Sequence, residues 1–178
     1  MISTHTEPTV HYAAIITREG RNTLAEFPDC PGCQTFADPG ESIADMAAEA
    51  LTGWLEAHLV DGEAPPRPRR TALRAPHRAR VMDVAVPALL GTRLQLRWAR
   101  DDAGLSQAEL GRRIGVSRQQ VSLVEAPDTN PTVGTLERLA KALGMHLRIE
   151  LRANPARPAD VTPLRSRRTA PPRAPRRA

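Results

Sequence analysis

Aromatic side chains are almost missing from this 178-residue chain: two Phe, two Trp and one Tyr make up 3% of it. So few rings cannot build a stacking platform for single-stranded nucleic acid. Cysteine is as scarce. Cys30 and Cys33 are the only two; they cannot form a disulfide scaffold, and a reducing cytoplasm is the expected compartment. Long apolar runs are lacking too. The best, residues 84–90, is broken by Pro87, so no membrane-spanning helix is expected. The opening residues MISTHTEPTV have neither a basic start nor an apolar block, and no secretory signal is expected. The length suits one ordinary domain or two small ones.

Charge, by contrast, is plentiful and uneven. The formal net charge is +5, yet residues 1–66 carry 2 basic and 11 acidic groups, and residues 67–100 carry 9 and 1. Residues 101–151 are nearly balanced at 6 and 7, and residues 152–178 carry 8 and 1. An acidic front joined to basic segments points to two different partners. Prolines mark the seams: of 17, four fall in residues 62–80 and six in residues 152–178, both stretches rich in Arg and Ala. The first reads as a linker and the second as a disordered tail. No internal repeat is present.

The front reads as a small α+β module. Residues 12–17 (YAAIIT), 23–27 (TLAEF) and 33–37 (CQTFA) are three short strand candidates, separated by the turn Glu19-Gly20 and the loop PDCPGC. Pro39-Gly40 breaks the chain before a long helix over residues 41–60. There Ile43, Met46, Ala47, Ala50, Leu51, Trp54, Leu55 and His58 repeat at helical spacing, with Glu41, Asp45, Glu49 and Glu56 largely opposite. Residues 80–86 (RVMDVAV) form a fourth strand candidate that can return to the same sheet. The expected order is β-β-β-α-β over residues 10–86, with the Pro/Arg-rich connection at 62–80.

Tyr12, Gly20, the run FPDCPGCQTFADPGES and the segment EALTGWLEAHLVDGEAPPRP resemble, in that order, the HicB-like antitoxin domain. The resemblance spans roughly residues 10–86. It implies a truncated RNase H-like fold and a HicA-type toxin, a small mRNA-cleaving ribonuclease, as protein partner. A toxin that grips RNA is basic, and the acidic module offers it a competing surface. Glu26, Phe27, Asp29, Asp38 and Glu41, at loops and at the helix start, are the expected toxin contacts.

The back, residues 87–151, reads as an all-α helix-turn-helix domain. Residues 87–102 form a first helix that stops at Gly104. Ser106-Gln-Ala-Glu109 is a capping box, Gly115 makes the turn, and Ser117-Arg-Gln-Gln120 is a second capping box. Thr132 caps a last helix closed by Gly144, and residues 146–151 (HLRIEL) alternate as a short C-terminal strand. A short helix, a glycine turn and a second capped helix let one helix cross the phosphates while the next enters the major groove. SQAELGRRIGVSRQQVSLVE followed by NPTVGTLERLAKALG closely resembles the Xre/phage-repressor family over residues 93–145. That resemblance implies that Gln107 touches phosphate and that Arg118, Gln119 and Leu123 face base edges of double-stranded operator DNA, with Ser117, Gln120 and Ser122 beside them. The turn EAPDTNP departs from the commoner glycine-containing version.

The remaining candidates carry no chemistry. Cys30-Pro-Gly-Cys33 lacks the second ligand pair a structural zinc site needs, and no helix starts at Cys33 to activate it. Asp29, Asp38, Glu41 and Asp45 could suggest a nuclease, but the module is too short for the full enzyme fold. No catalytic residue, metal or cofactor is expected, and the protein is read as an antitoxin that also represses its own operon, not an enzyme. One helix-turn-helix covers too little DNA for tight binding, so a homodimer or higher oligomer joined through the back is expected. The alternative is a stand-alone Xre-family transcriptional regulator whose front senses another ligand or partner.

Overall fold

The computed structural model describes residues 10–69 and 73–149. Its elements are β1 (His11–Glu19), β2 (Asn22–Glu26), β3 (Gln34–Ala37), α1 (Ile43–Val60), β4 (Arg80–Ala85), α2 (Ala88–Asp102), α3 (Gln107–Ile114), α4 (Arg118–Glu125) and α5 (Val133–Ala142). The expected β-β-β-α-β order is therefore borne out. The strands form one antiparallel sheet in the order β3-β2-β1-β4. Period-two burial along β1 explains why it holds the centre: Tyr12, Ala14 and Ile16 are fully buried while Ala13, Ile15 and Thr17 are half-buried. The buried set packs on Ala47, Leu51, Leu55 and Leu59, one stripe of α1. Ser42 starts that helix by accepting a hydrogen bond from the Asp45 N–H.

The direction of β4 depends on the chain between it and α1. A short return from α1 would bring a strand in parallel to β1. The connection over residues 61–79 instead carries the chain to the far end of the sheet, and Arg80 pairs with Ile16 while Ala85 pairs with His11.

That connection is not the free linker its composition suggests. Pro65 is completely buried. The Tyr12 hydroxyl donates to the Pro66 carbonyl at 2.6 Å, and the Trp98 indole N–H donates to the Pro65 carbonyl at 2.7 Å. Arg67 reaches the Trp98 carbonyl at 3.0 Å and Asp102 at 2.6 Å. Arg69 holds Asp29 through its backbone N–H at 2.9 Å and its guanidinium at 2.6 Å. The Pro65 and Pro66 carbonyls thus accept from the two large rings, and 62–69 is a strap laid across the front core. Burial raises the Tyr12 phenol well above its ordinary range, with Cys30 and Asp29 adding to the effect.

The domain boundary expected at 86/87 falls at the start of a helix that serves both halves. Leu90 and Leu94 of α2 close the front core, with Trp98 packed beside them. Leu96, with Leu89 alongside, enters a second core made by Leu110, Val121, Val124, Leu136 and Leu139. Gly91 of α2 lies beside Val10, whose carbonyl accepts from the Val86 N–H at 2.8 Å.

The expected C-terminal strand is a correction. Residues 146–149 adopt no strand: alternation alone satisfies no backbone group, and no strand of the sheet lies paired to them. Residues 150–151 and the expected tail at 152–178 lie outside the described residues.

Candidate nucleic-acid interface

Both capping boxes form. Ser106 accepts from the Glu109 N–H at 3.2 Å while Glu109 accepts from the Ser106 N–H at 2.7 Å and hydroxyl at 2.6 Å. Those hydrogen bonds from Ser106 hold the Glu109 carboxyl below its usual range, helped by Arg112 and Arg113. Ser117 and Gln120 repeat the exchange at the start of α4. Between them Gly115 takes the left-handed conformation, φ 73°, that lets α3 stop and α4 begin within three residues. Leu110, Val121 and Val124 turn inward, which leaves Arg118, Gln119, Ser122 and Leu123 on the solvent side. Leu123 is 48% exposed on the same face.

Behind this face lies a buried ionic cluster that places α4. Glu125, the last residue of α4, is 5% exposed. Arg100 grips it in a fork, Nε to Oε1 at 2.6 Å and Nη2 to Oε2 at 3.1 Å. Arg97 Nη1 reaches Oε2 at 3.2 Å and Gln107 Nε2 reaches the same oxygen at 2.9 Å. Arg100 also donates to the Leu105 carbonyl at 2.7 Å. Burial disfavours the Arg100 cation, but its hydrogen bonds and charge pairing with Glu125 outweigh that, and its pKa lies above the ordinary value. One carboxylate thus joins α2, α3 and α4.

A third arginine explains the glycine-free turn after α4. Arg93 is 3% exposed. It donates to the Val124 carbonyl at 3.2 Å, the Pro127 carbonyl at 2.7 Å, and both the carbonyl and the hydroxyl of Thr129. Thr129 in turn donates to the Leu123 and Ala126 carbonyls. A helix end normally satisfies its last carbonyls through a left-handed glycine; here a guanidinium and a hydroxyl do so. Burial lowers the Arg93 pKa from its ordinary value, against the raising effect of Glu56 and Asp128.

The expected site residues fall into distinct groups. Arg118, Gln119, Ser122 and Leu123 share one exposed face; the Ser117 and Gln120 side chains serve first as caps. Gln107 is half-buried, and one hydrogen of its Nε2 goes to Glu125, which fixes its position. A polar hollow of about 640 Å³ opens beside these residues, bordered by Gly62, Arg97, Arg100, Ser106, Gln107 and Arg118. In the front module Glu26, Asp38 and Glu41 are exposed, Glu41 accepting from the Asp38 N–H at 2.8 Å. Phe27, 1% exposed, is part of the core, and Asp29 is occupied by Arg69; neither offers a free contact, because both fasten the loop that turns into β3. Sequence reasoning missed Arg93, Arg97 and Arg100. Their i, i+4, i+7 spacing on one helix was the available signal.

Cys30 and Cys33 close that same loop. The Cys33 N–H donates to the Cys30 carbonyl and the Cys30 N–H to the Phe27 carbonyl, each at 2.9 Å. Both thiols are free and buried. Burial pushes Cys30 up to about 12, with Cys33 and Asp29 contributing, and Cys33 up to about 11. Alkylation at pH 8 should therefore be slow in the folded chain and fast once urea unfolds it. The sign for stability follows. The unfolded thiols ionise near 9.0, so stability from keeping them neutral is complete below that pH and is lost as pH rises toward 11–12. Alkaline denaturation followed by thiolate absorbance measures both. Among the described residues no group of three His, Cys, Asp or Glu side chains could hold a metal ion, and no helix is long and apolar enough to cross a membrane.

The Helix-turn-helix family HTH_3 matches residues 96–149. "Antitoxin HicB 1" of Photorhabdus laumondii subsp. laumondii is 29% identical over 128 residues, 72% of this chain and 77% of that protein. "Antitoxin HicB 2" of the same organism is 29% identical over 69% of this chain and 83% of its own length. An uncharacterized HTH-type transcriptional regulator of Sinorhizobium fredii, y4dJ, is 43% identical over 38% of this chain and 82% of its own length. A chain of the solved "HicA3 and HicB3 toxin-antitoxin complex" aligns with 44% of this chain and 99% of its own, at 21% identity and a TM-score of 0.34.

Proposed function

From a chain that carries a helix-turn-helix match over residues 96–149 and is homologous to the HicB antitoxins, we propose an antitoxin that binds and inhibits a small HicA-type mRNA-cleaving toxin and represses its own operon. The β-β-β-α-β module, read as a truncated RNase H-like fold, is the neutralising part, with Glu26, Asp38 and Glu41 free to meet a basic protein. The helix-turn-helix is the operator-reading part. One observation carries this reading: a chain homologous to HicB antitoxins over about 70% of its length joins an acidic module to a capped helix with an exposed polar face. No step of chemistry falls to the antitoxin itself, and it acts in the cytoplasm, where both mRNA and operator are.

At the DNA, Arg118 suits a bidentate contact with guanine O6 and N7, and Gln119 one with adenine N6 and N7, each worth about 1–3 kcal/mol of discrimination. Gln107 is a phosphate contact that fixes register. The test is a footprint upstream of the operon. The wild-type chain should protect an inverted repeat with half-sites about 10 bp apart or a multiple of it. Arg118→Ala with Gln119→Ala should lose that footprint while keeping salt-dependent binding to unrelated DNA; unchanged protection would remove α4 as the reader. Two half-sites call for two heads, so the full chain should sediment as a dimer or larger. Co-purification with the small basic product of the neighbouring gene, and loss of its RNA cleavage, tests the antitoxin half.

A further inference from the structure

Among the described residues, α1 packs on one face of the sheet and the other face lies open. Cross-strand partners share a face, so the register places Ile15, Leu24, Phe36 and Val81 together on the side away from α1. Leu24 lies directly opposite both Thr17 and Phe36, and Ile15 directly opposite Val81. α1 takes the other face, where Tyr12, Ala14, Ile16 and Ala25 are buried. Phe36 is 58% exposed on an edge strand, and large exposed apolar groups clustered within an acidic surround mark an interaction site more often than chance. The charges on this face are all of one sign. Glu19, Glu26 and Asp83 point outward with the apolar group, and no outward position of the four strands carries Lys or Arg.

We infer that this open sheet face is the docking surface for the small basic toxin, with Phe36 as its apolar anchor and Glu26 and Asp83 as its charge guides. The inference rests on the antitoxin reading. Charge decides the occupant. A second copy applied face to face would bring these carboxylates against their own counterparts with no cation to neutralise them, and nucleic acid would be repelled outright. A basic RNA-gripping protein meets the opposite balance, an apolar centre with an acidic rim. Residues 1–66, with 2 basic against 11 acidic groups, extend the same attraction beyond the contact.

The experiment uses the full chain and the purified toxin from the same operon, with affinity by calorimetry and association rate by stopped flow. Phe36→Ala should weaken binding about tenfold or more, as anchors do. Glu26→Lys with Asp83→Lys should slow association by a similar factor at low salt and flatten its salt dependence. Both variants should melt and bind operator as the parent does, which separates lost docking from lost folding. Asp45→Lys with Glu49→Lys, exposed on α1, should have little effect. If the α1 pair weakens binding and the sheet variants do not, the surface is wrong while the antitoxin reading stands. If Phe36→Ala instead dissolves a self-associated chain and leaves toxin affinity intact, the face belongs to a second copy and the inference fails. A wild-type chain that does not bind the toxin at all defeats the antitoxin reading, and this inference with it.

Discussion

Glu125→Ala should cost about 3–5 kcal/mol of stability and abolish operator binding. The carboxylate is 5% exposed and is held by Arg97, Arg100 and Gln107 from two other helices. Taking it away leaves the Arg100 cation, itself 6% exposed, with only the more exposed Asp101 carboxylate at 3.1 Å to offset it, and that poorly compensated charge is the larger part of the cost. For a chain of this length the melting temperature should fall by about 10 °C or more. Operator binding goes with it, since α4 then loses its only ionic tie to α2 and α3 among the described residues. The converse is as informative. Removing both charges, Arg100→Met with Glu125→Leu, should recover much of the stability, because buried pairs cost desolvation that apolar packing does not. A double variant no more stable than Glu125→Ala would assign the effect to shape rather than charge.

The second large effect concerns where the chain can be cut. A fragment of residues 1–86 contains every strand and α1, yet it should show no cooperative thermal transition. It lacks Leu90 and Leu94, 3% and 0% exposed in the front core, and each such leucine contributes about 2–5 kcal/mol. It also lacks Trp98, whose indole fixes Pro65 and through it the strap. Those losses approach the whole stability of a small domain. A fragment of residues 1–104, ending at the glycine that stops α2, should fold and bind toxin. Circular dichroism melts of the two fragments decide it: a cooperative 1–86 would show that α2 only rests on the front core. The complementary fragment 87–151 would expose Leu90, Leu94 and Trp98, so its association state would report an artificial patch; self-association is to be measured on the full chain.

Local signals in this sequence translated well into structure. The two capping boxes, Gly115 and the alternation in β1 each act within a few residues, and each is found where its residue types placed it. The long-range features were hidden for a physical reason. Counted as composition, residues 67–100 form a basic segment suited to an acidic partner, yet Arg67, Arg69, Arg93, Arg97 and Arg100 find their partners within the chain. A proline-rich run looks the same in sequence whether its carbonyls face water or receive Tyr12 and Trp98. Phe27 and Asp29 went astray in the same way: a loop position suggests projection, and only the fold shows one packed and the other tied to Arg69. The exposed face of α4 was legible because helical periodicity sorts inward from outward without tertiary knowledge.

The helix that closes both cores bears on how such a protein can be inherited. Recombination that exchanged one front half for another at residue 86 would join a foreign sheet to a helix tailored to this one, with Leu90, Leu94 and Trp98 meeting the wrong surface. A crossover after Gly104 would move α2 with its sheet, but would then have to match Arg93, Arg97 and Arg100 to a new Glu125 and a new turn. Neither seam is clean. Changes in partner choice should then come more readily through substitutions on the outward surfaces than through an exchange of halves at either point.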